Sequence, residues 1–391
     1  VGSEMCIRDS VGTYDKSSDT LFVSDLKLSG LYENAYPNAA APSTVTVMGA
    51  KLTVLPSAQA DLAAFKVGDK VTLLLTTTGQ VAGAVSPDVA KSNAVGVAEV
   101  KGTMATIKLL DGILTLEGKT TYSEAAAAKL NGCLVTVSSY KRDYLTLSKV
   151  NGKGASTALN LTTNRMGTKE LSAGARFFEQ VSNGRLVEID RSDITITSIP
   201  ANKITYVGYD WAGRVDKLVL NDVTGDRYDY GIIHYQPAGY QETPGNPNGN
   251  GEYKNGEISV TNGSFPKGMT PYVVGSVDGA KTNRMGGVAG SLDQLDGQNR
   301  MAAFMPLNEA KGIRRAQFDT DAMLLTTNSM VIPISDAVEC YNKTTGDWFK
   351  PGEDGDHKAT LNLALAFSDD ITVYYDRSPE EGGKVRIVVV E

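Results

Sequence analysis

Val71-TLLLTTTGQVAGA-Val85 and Leu134-VTVSSYKRDYLTLSK-Val150 decide how this chain is read. Each opens on a β-branched or apolar run, breaks at a polar or glycine-bearing turn and resumes as a second strand. The phrase recurs as Ile204-TYVGYDWAGRVDKLV-Leu220 and Ile371-TVYYDRSPEEGGKVRIVV-Val390. Its first two copies follow a short alanine-rich piece, Ser57-AQADLAA-Phe65 and Ser123-EAAAAK-Leu130. Period-two runs broken by tight turns specify hairpins. A unit that recurs along a chain specifies an array of small modules.

Working outward, Thr106-IKLL-Asp111 and Gly112-ILTLEG-Lys119 form the clearest hairpin signal, with Asp111-Gly112 suited to a type I′ turn. Thr44-VTV-Met48 and Lys51-LTV-Leu55 flank Gly49-Ala50 as a second hairpin. Ser57 and Ser123 are placed to cap short helices over residues 58–65 and 124–130, and Asn131-Gly132 to end the latter. Strand, helix, hairpin therefore occurs twice in succession and implies duplication. Arg176-FFEQV-Ser182 and Arg185-LVEI-Asp190 read as a further hairpin.

The expected fold class is all-β: tandem small β-barrel or sandwich modules with short helices between strands. The modules span residues 11–90, 91–153, 154–235 and 258–391. Residues 236–257, rich in glycine, proline and asparagine, read as a linker or loop. Thr163-NRM-Gly167 recurs as Thr282-NRM-Gly286, a hint that the last two modules are also related. Residues 1–10, Val1-GSEMCIRD-Ser10, read as translated adapter sequence from the edge of a metagenomic assembly. The native N-terminus, with any signal peptide, is then expected upstream.

The chain has 391 residues, room for two to four domains, and its apolar residues are spread evenly. Its 40 glycines exceed the usual share of about 7% and fall mostly at turns. A formal charge of −7 with scattered basic residues argues against nucleic-acid binding. No stretch reaches the roughly 18 apolar residues of a spanning helix. Cys6, Cys133 and Cys340 lie far apart, with neither zinc spacing nor a disulfide framework, and read as free thiols.

No catalytic motif is visible. His234 and His357 are the only histidines, without companions in sequence. The acidic pairs Asp319/Asp321, Asp354/Asp356, Asp369/Asp370 and Glu380/Glu381 sit at turns, where solvated carboxylates are the ordinary explanation. Glu353-Asp-Gly-Asp356 and Asn221-Asp-Val-Thr-Gly-Asp226 are loops with oxygen ligands. Calcium is therefore the one cofactor considered, although neither loop has the spacing of a calcium-binding helix–loop–helix. Gly286-Gly-Val-Ala-Gly290 lacks the context of a phosphate loop. Tyr206, Tyr209, Trp211, Tyr228 and Tyr230 are candidate glycan-binding aromatics; cross-strand pairing in a sheet explains the same residues.

Phe65-KVGDKVTLLLTTTGQVAGAV-Ser86 and Ile204-TYVGYDWAGRVDKLVLNDVTGDRYDYGI-Ile233 resemble the β-rich region that follows the S-layer homology repeats in surface proteins of gut Clostridia. The resemblance covers about half the chain and contains no catalytic motif. It implies an exported structural protein of the cell wall or S-layer. The anchoring repeats that hold the cell-wall polymer would lie in an upstream region, and self-association would build a layer. The expected function is thus non-enzymatic: spacer or layer-forming β-modules. The alternatives are an adhesin or carbohydrate-binding module, and an accessory region of a cell-wall hydrolase.

Overall fold

The computed structural model describes residues 10–391 apart from 16–17, 151–154, 181–185, 243–250, 276, 278, 291–298 and 353–354. Residues 1–9, including Cys6, lie outside the described part. Strands hold 51% of the structure and helices 10%, so the fold is all-β. The chain divides into two compact units. Val1–Thr157, Asn164–Arg176 and Ile204–Val219 form unit 1; Ala158–Thr163, Phe177–Lys203 and Leu220–Glu391 form unit 2.

Unit 1 begins with an antiparallel ribbon of β1 (Val11–Asp15) and β2 (Thr20–Ser24). Its first five-stranded module follows: β3 (Lys27–Tyr36), β4 (Thr44–Val47), β5 (Ala50–Thr53), a short helix α1 (Gln59–Leu62), β6 (Lys70–Leu75) and β7 (Val81–Val85). The strand order is β5-β4-β3-β6-β7, and a parallel bridge, Val54 to Val81, links its two ends. A bulge after Tyr32 divides β3, whose first half pairs with β6 and second half with β4.

The second module consists of β8 (Ala94–Lys101), β9 (Met104–Leu109), β10 (Thr115–Thr120), α2 (Glu124–Ala128), β11 (Leu134–Lys141) and β12 (Tyr144–Lys149). It is a closed barrel in which β10 and β12 pair in parallel. Matching β3 to β8 and onward gives the same order, the same helix position and the same parallel closure. Both modules thus share one Greek-key order, that of small five-stranded barrels of the OB type. The repeated strand–helix–hairpin code is a repeated topology. Alternation on β10, with Leu116, Gly118 and Thr120 buried, turns one face of the strand inward.

Local chemistry shifts several expected turns. The β4–β5 turn is Met48-Gly49, both at positive φ, one residue earlier than Gly49-Ala50. Gly49 permits a close approach: a Cβ there would sit 1.9 Å from the Glu117 carbonyl oxygen on β10. Glu117 N donates to Met48 O at 3.1 Å, and Leu31 N donates to Ser139 Oγ at 2.8 Å. These contacts join the two barrels within unit 1. Asp111-Gly112 does not make a type I′ turn, because only Gly112 has positive φ; Asp111 instead accepts from Ile113 N and Leu114 N in a wider loop. Ser123 caps α2 through Ala126 N. Ser57 does not cap α1, since Pro56–Ala58 form a 3-10 turn and the Ser57 hydroxyl donates to Ala82 O.

The chain next forms β13 (Lys169–Gln180), β14 (Leu186–Ile189), β15 (Ile204–Tyr209) and β16 (Val215–Leu220). Beyond Arg176 β13 enters unit 2, where it pairs with β14, as the sequence indicates.

Two sheets dominate unit 2. The first comprises β17 (Asp229–Gln236), β18 (Gly256–Thr261), β19 (Tyr272–Val274), β20 (Arg284–Gly290) and β21 (Met301–Pro306), in the order β19-β18-β17-β20-β21. The second contains β22 (Asn308–Ile313), β23 (Leu324–Thr326), β24 (Val331–Asn342), β25 (Ile371–Tyr375) and β26 (Val385–Val390), in the order β22-β25-β26-β24-β23. Tyr228, Tyr230, Ala289, Leu307, Ile387 and Val389 form a buried cluster between them. The expected linker is, at its described ends, a ribbon of Gly239–Glu242 paired with Gly251–Lys254. Helix α3 (His357–Phe367), absent from the sequence reading, packs Leu361, Ala364 and Leu365 into the core of the second sheet. Asp356 caps it by accepting from Ala359 N at 2.9 Å.

Candidate functional site

The densest chemistry lies in unit 2, around a charge buried in a strand. β26 is buried at every position, yet its second residue is Arg386. A buried guanidinium persists only where its donors are answered. Arg386 Nε and Nη2 donate to Asp376 Oδ2 at 3.0 and 2.8 Å. Its Nη1 donates to Asp226 Oδ1 at 2.6 Å and to Ser335 Oγ at 3.1 Å, and Nη2 also donates to the Thr224 carbonyl. The guanidinium carbon lies 4.9 Å from the centre of the Tyr230 ring. Burial alone would lower the Arg386 pKa, but Tyr230, Asp376 and Asp226 outweigh it and raise it.

The turn after β25 supplies the counter-charge. Asp376 Oδ1 accepts from Arg377 N at 2.9 Å and Lys384 N at 2.8 Å, so the loop that carries the carboxylate is tied to it. The loop after β16 supplies the rest. Asp222 pairs with Arg377 at 2.5 Å and Asp226 with Lys384 at 3.5 Å. Burial would raise Asp226, yet Arg386 and Lys384 hold its carboxyl below the usual range. Glu179, fully buried on β13, accepts from Val223 N, Thr224 N and Thr224 Oγ1. Burial exceeds these bonds and pushes its pKa up.

Over this cluster opens a cleft of about 410 Å³, with Glu339, His357, Tyr228, Phe265, Asp226 and Arg386 in its lining. Glu339, on β24, is 5% exposed. Its Oε2 accepts from Gly263 N at 2.9 Å and its Oε1 meets Ser264 Oγ at 3.5 Å. Burial pushes its carboxyl up to about 7; the Gly263 and Ser264 bonds offset only part of the rise. A carboxyl that titrates near neutrality has the acidity of a general acid or base. Such catalysis also needs a companion group; among the described residues, Glu339 makes no hydrogen bond to a second titratable side chain. His357 Nδ1 bonds the Val338 carbonyl at 3.0 Å, and Glu339 bonds Gly263 and Ser264.

The residues singled out by sequence scatter. Of the histidines, His357 lines this cleft, whereas His234 bonds Thr261 Oγ1 at 3.0 Å on the neighbouring strand. Cys133 and Cys340 are buried, in units 1 and 2 respectively, and burial pushes the Cys340 thiol up. Among the described residues, no member of the four acidic pairs lines the cleft. Asp356 caps α3, while residues 353–354 of the same acidic loop lie outside the described part. In the other calcium-loop candidate, Asp222 and Asp226 are answered by Arg377, Lys203, Arg386 and Lys384. Among the described residues no three His, Cys, Asp or Glu side chains converge as a metal site.

The aromatic set divides between the units. Tyr206, Tyr209 and Trp211 belong to unit 1, with Tyr209 and Trp211 45% and 56% exposed. Tyr228 and Tyr230 are buried in unit 2, their ring centres 5.9 Å apart. Burial raises the Tyr228 phenol to about 12 and also pushes the Tyr230 phenol well above its ordinary value. Gly286-Gly287 lies within β20, where a Cβ on Gly287 would meet the Tyr230 ring at 2.6 Å; these glycines make room for an aromatic side chain. Sequence reasoning missed Arg386 and Glu339. The available signal was a charge set inside a continuous apolar run, Val385-Arg-Ile387 and Val338-Glu-Cys340.

No protein-family model, curated protein or solved structure matches this chain.

Proposed function

We propose that this chain is a non-enzymatic structural protein of the cell envelope, an array of β-modules that acts as a spacer or builds an S-layer-type surface layer. The observation that carries the reading is the pair of barrels with one topology, joined by Glu117 N to Met48 O and Leu31 N to Ser139 Oγ. Repeated modules joined by backbone contacts suit a part whose task is to hold a spacing. The net charge of −7 suits an exposed, mutually repelling surface. On this reading the protein is extracellular, and an upstream region attaches it to the cell-wall polymer.

Two measurements test it. Electron microscopy of the purified chain, with and without isolated cell walls, should show ordered assemblies or extended particles. Incubation with peptidoglycan should release no fragments. Fragment release that disappears in a folded Glu339→Gln variant would replace the structural reading with the hydrolase one. A second reading, an adhesin, is favoured by exposed Tyr209 and Trp211 at the β15–β16 turn, with Lys169 Nζ 4.5 Å from the Tyr209 ring centre. Glycan-array binding abolished by Trp211→Ala would favour it.

A further inference from the structure

Unit 2 carries a second, larger groove of about 790 Å³ along β20, β22, β25 and the ends of β24 and β26. Ligand sites commonly fall between about 300 and 1,000 Å³. Its charge opposes that of the chain as a whole. Lys281, Arg284, Lys311 and Lys343 line it, against the carboxylates Glu309 and Glu391.

Both side-chain carboxylates are already engaged. Glu309 pairs with Lys311 at 3.1 Å and accepts from the Tyr374 hydroxyl at 2.6 Å; Glu391 pairs with Lys343. The Tyr374 bond is also the main cause that holds Glu309 below the usual carboxylate range, so its charge persists. Lys281 and Arg284 have no carboxylate partner among the described residues. The Arg284 guanidinium donates to the Gly279 carbonyl at 3.2 Å. Lys281 and Arg284 are therefore the groove cations that no side-chain carboxylate answers, on a protein of net charge −7. Its remaining lining mixes ring and aliphatic side chains, half-buried Tyr341, Tyr374 and Met285 and buried Leu307 among them, with the neutral polar groups of Thr282, Asn283 and Thr372.

We infer that this groove binds an oligosaccharide that carries carboxylate groups. The two features together select that class. Arginine matches a carboxylate in a planar, two-bond geometry, and lysine adds a point charge. Tyrosine faces and apolar side chains pack against the C–H faces of sugar rings, a surface that a small inorganic anion would not use. The four cations come from three segments, 281–284, Lys311 and Lys343, which suits anionic groups spaced along a chain. A long nucleic acid would meet the acidic remainder of the surface and be repelled. The assignment stands apart from the array reading and from the Tyr209–Trp211 surface.

The test is calorimetric titration of the whole chain with trigalacturonic acid, with maltotriose and inorganic phosphate as controls. Trigalacturonic acid should bind and weaken as salt rises, because exposed charges are screened. Neutral maltotriose should bind at least tenfold more weakly. A Lys281→Gln/Arg284→Gln variant, altered at two exposed positions, should bind trigalacturonic acid at least tenfold more weakly with an unchanged circular dichroism spectrum. The inference is overturned by any of three results: no binding of trigalacturonic acid, equal binding by the double variant, or inorganic phosphate binding as tightly as the trisaccharide. If the double variant fails to fold, chemical-shift perturbation in the wild-type protein decides: shifts away from Lys281, Arg284 and Tyr374 also overturn it.

Discussion

Replacing Glu339 by glutamine should remove the pH dependence that this one buried carboxyl imposes on unit 2. The wild-type group is raised from 4.5 to about 7, chiefly by burial. Below pH 4.5 it is protonated in both folded and unfolded chains and contributes no difference. Between pH 4.5 and 7 the folded state retains a proton that the unfolded state has released, so stability falls as pH rises. Above about 7 the full penalty applies, about 3 kcal/mol at 1.36 kcal/mol per pKa unit. Glutamine keeps the acceptor for Gly263 N and offers a donor to Ser264 Oγ without the charge. The assay is urea unfolding from pH 4.5 to 8, followed by Trp348 fluorescence in a Trp211→Phe background so that unit 2 alone is observed. The two proteins should have similar stability at pH 4.5, and the glutamine variant should be up to about 3 kcal/mol more stable at pH 8. Other titrating groups cancel in the difference. A difference that does not change with pH, or a wild type that is the more stable at pH 8, refutes the reasoning.

Three further outcomes follow from the packing. Gly49→Ala should destabilise unit 1 by about 2 kcal/mol or more, since the left-handed conformation alone costs a residue with a Cβ roughly 1–2 kcal/mol and the Cβ also meets Glu117 O; Trp211 fluorescence in a Trp348→Phe background reads it, and an unchanged midpoint counts against the barrel joint. Arg386→Met should cost about 3–5 kcal/mol, because it leaves the fully buried Asp376 carboxylate without its cation; a loss under about 1 kcal/mol, comparable to an exposed pair, would mean the network is solvated. Cys133 and Cys340 should resist Ellman's reagent in the native protein and react after unfolding, because both are buried and the Cys340 thiol is pushed up; rapid native labelling at either position would contradict the packing of its barrel or sheet.

The hairpins were legible because their signal is local. Alternation along residues 134–150 sets the inward face, and the β11–β12 pairing follows from a turn only a few residues long. The short helix at 124–128 was legible for the same reason, with its serine cap adjacent. Helix α3 was masked by its own cap: Asp356 falls in an acidic, glycine-bearing stretch that reads as a turn until its bond to Ala359 N is known. The Ser57 cap failed because Pro56 starts a 3-10 turn there and the hydroxyl finds a strand carbonyl instead. The buried network was least legible, since Arg386 meets Asp226 160 residues away and Ser335 51 residues away. No pattern along the chain encodes that convergence.

That network also answers a problem the sequence of β26 creates. Val385, Ile387, Val388, Val389 and Val390 are close to interchangeable in shape and polarity, and all are buried. A strand of near-identical apolar residues, buried on both faces, gives little penalty for sliding by one or two positions against its neighbours. Arg386 removes the freedom. Its guanidinium is satisfied only where Asp376, Asp226, Ser335 Oγ and the Thr224 carbonyl converge, and a slip would carry an unpaired charge into the core. Buried ion pairs often add little net stability over apolar packing of the same volume. Their value here lies in the register. β26 runs antiparallel to β25 and parallel to β24, so fixing one strand fixes both neighbours. β24 carries Glu339 into the cleft and Tyr341 into the basic groove, and β25 carries Tyr374 to the same groove. One buried arginine thereby sets the position of both candidate sites of unit 2.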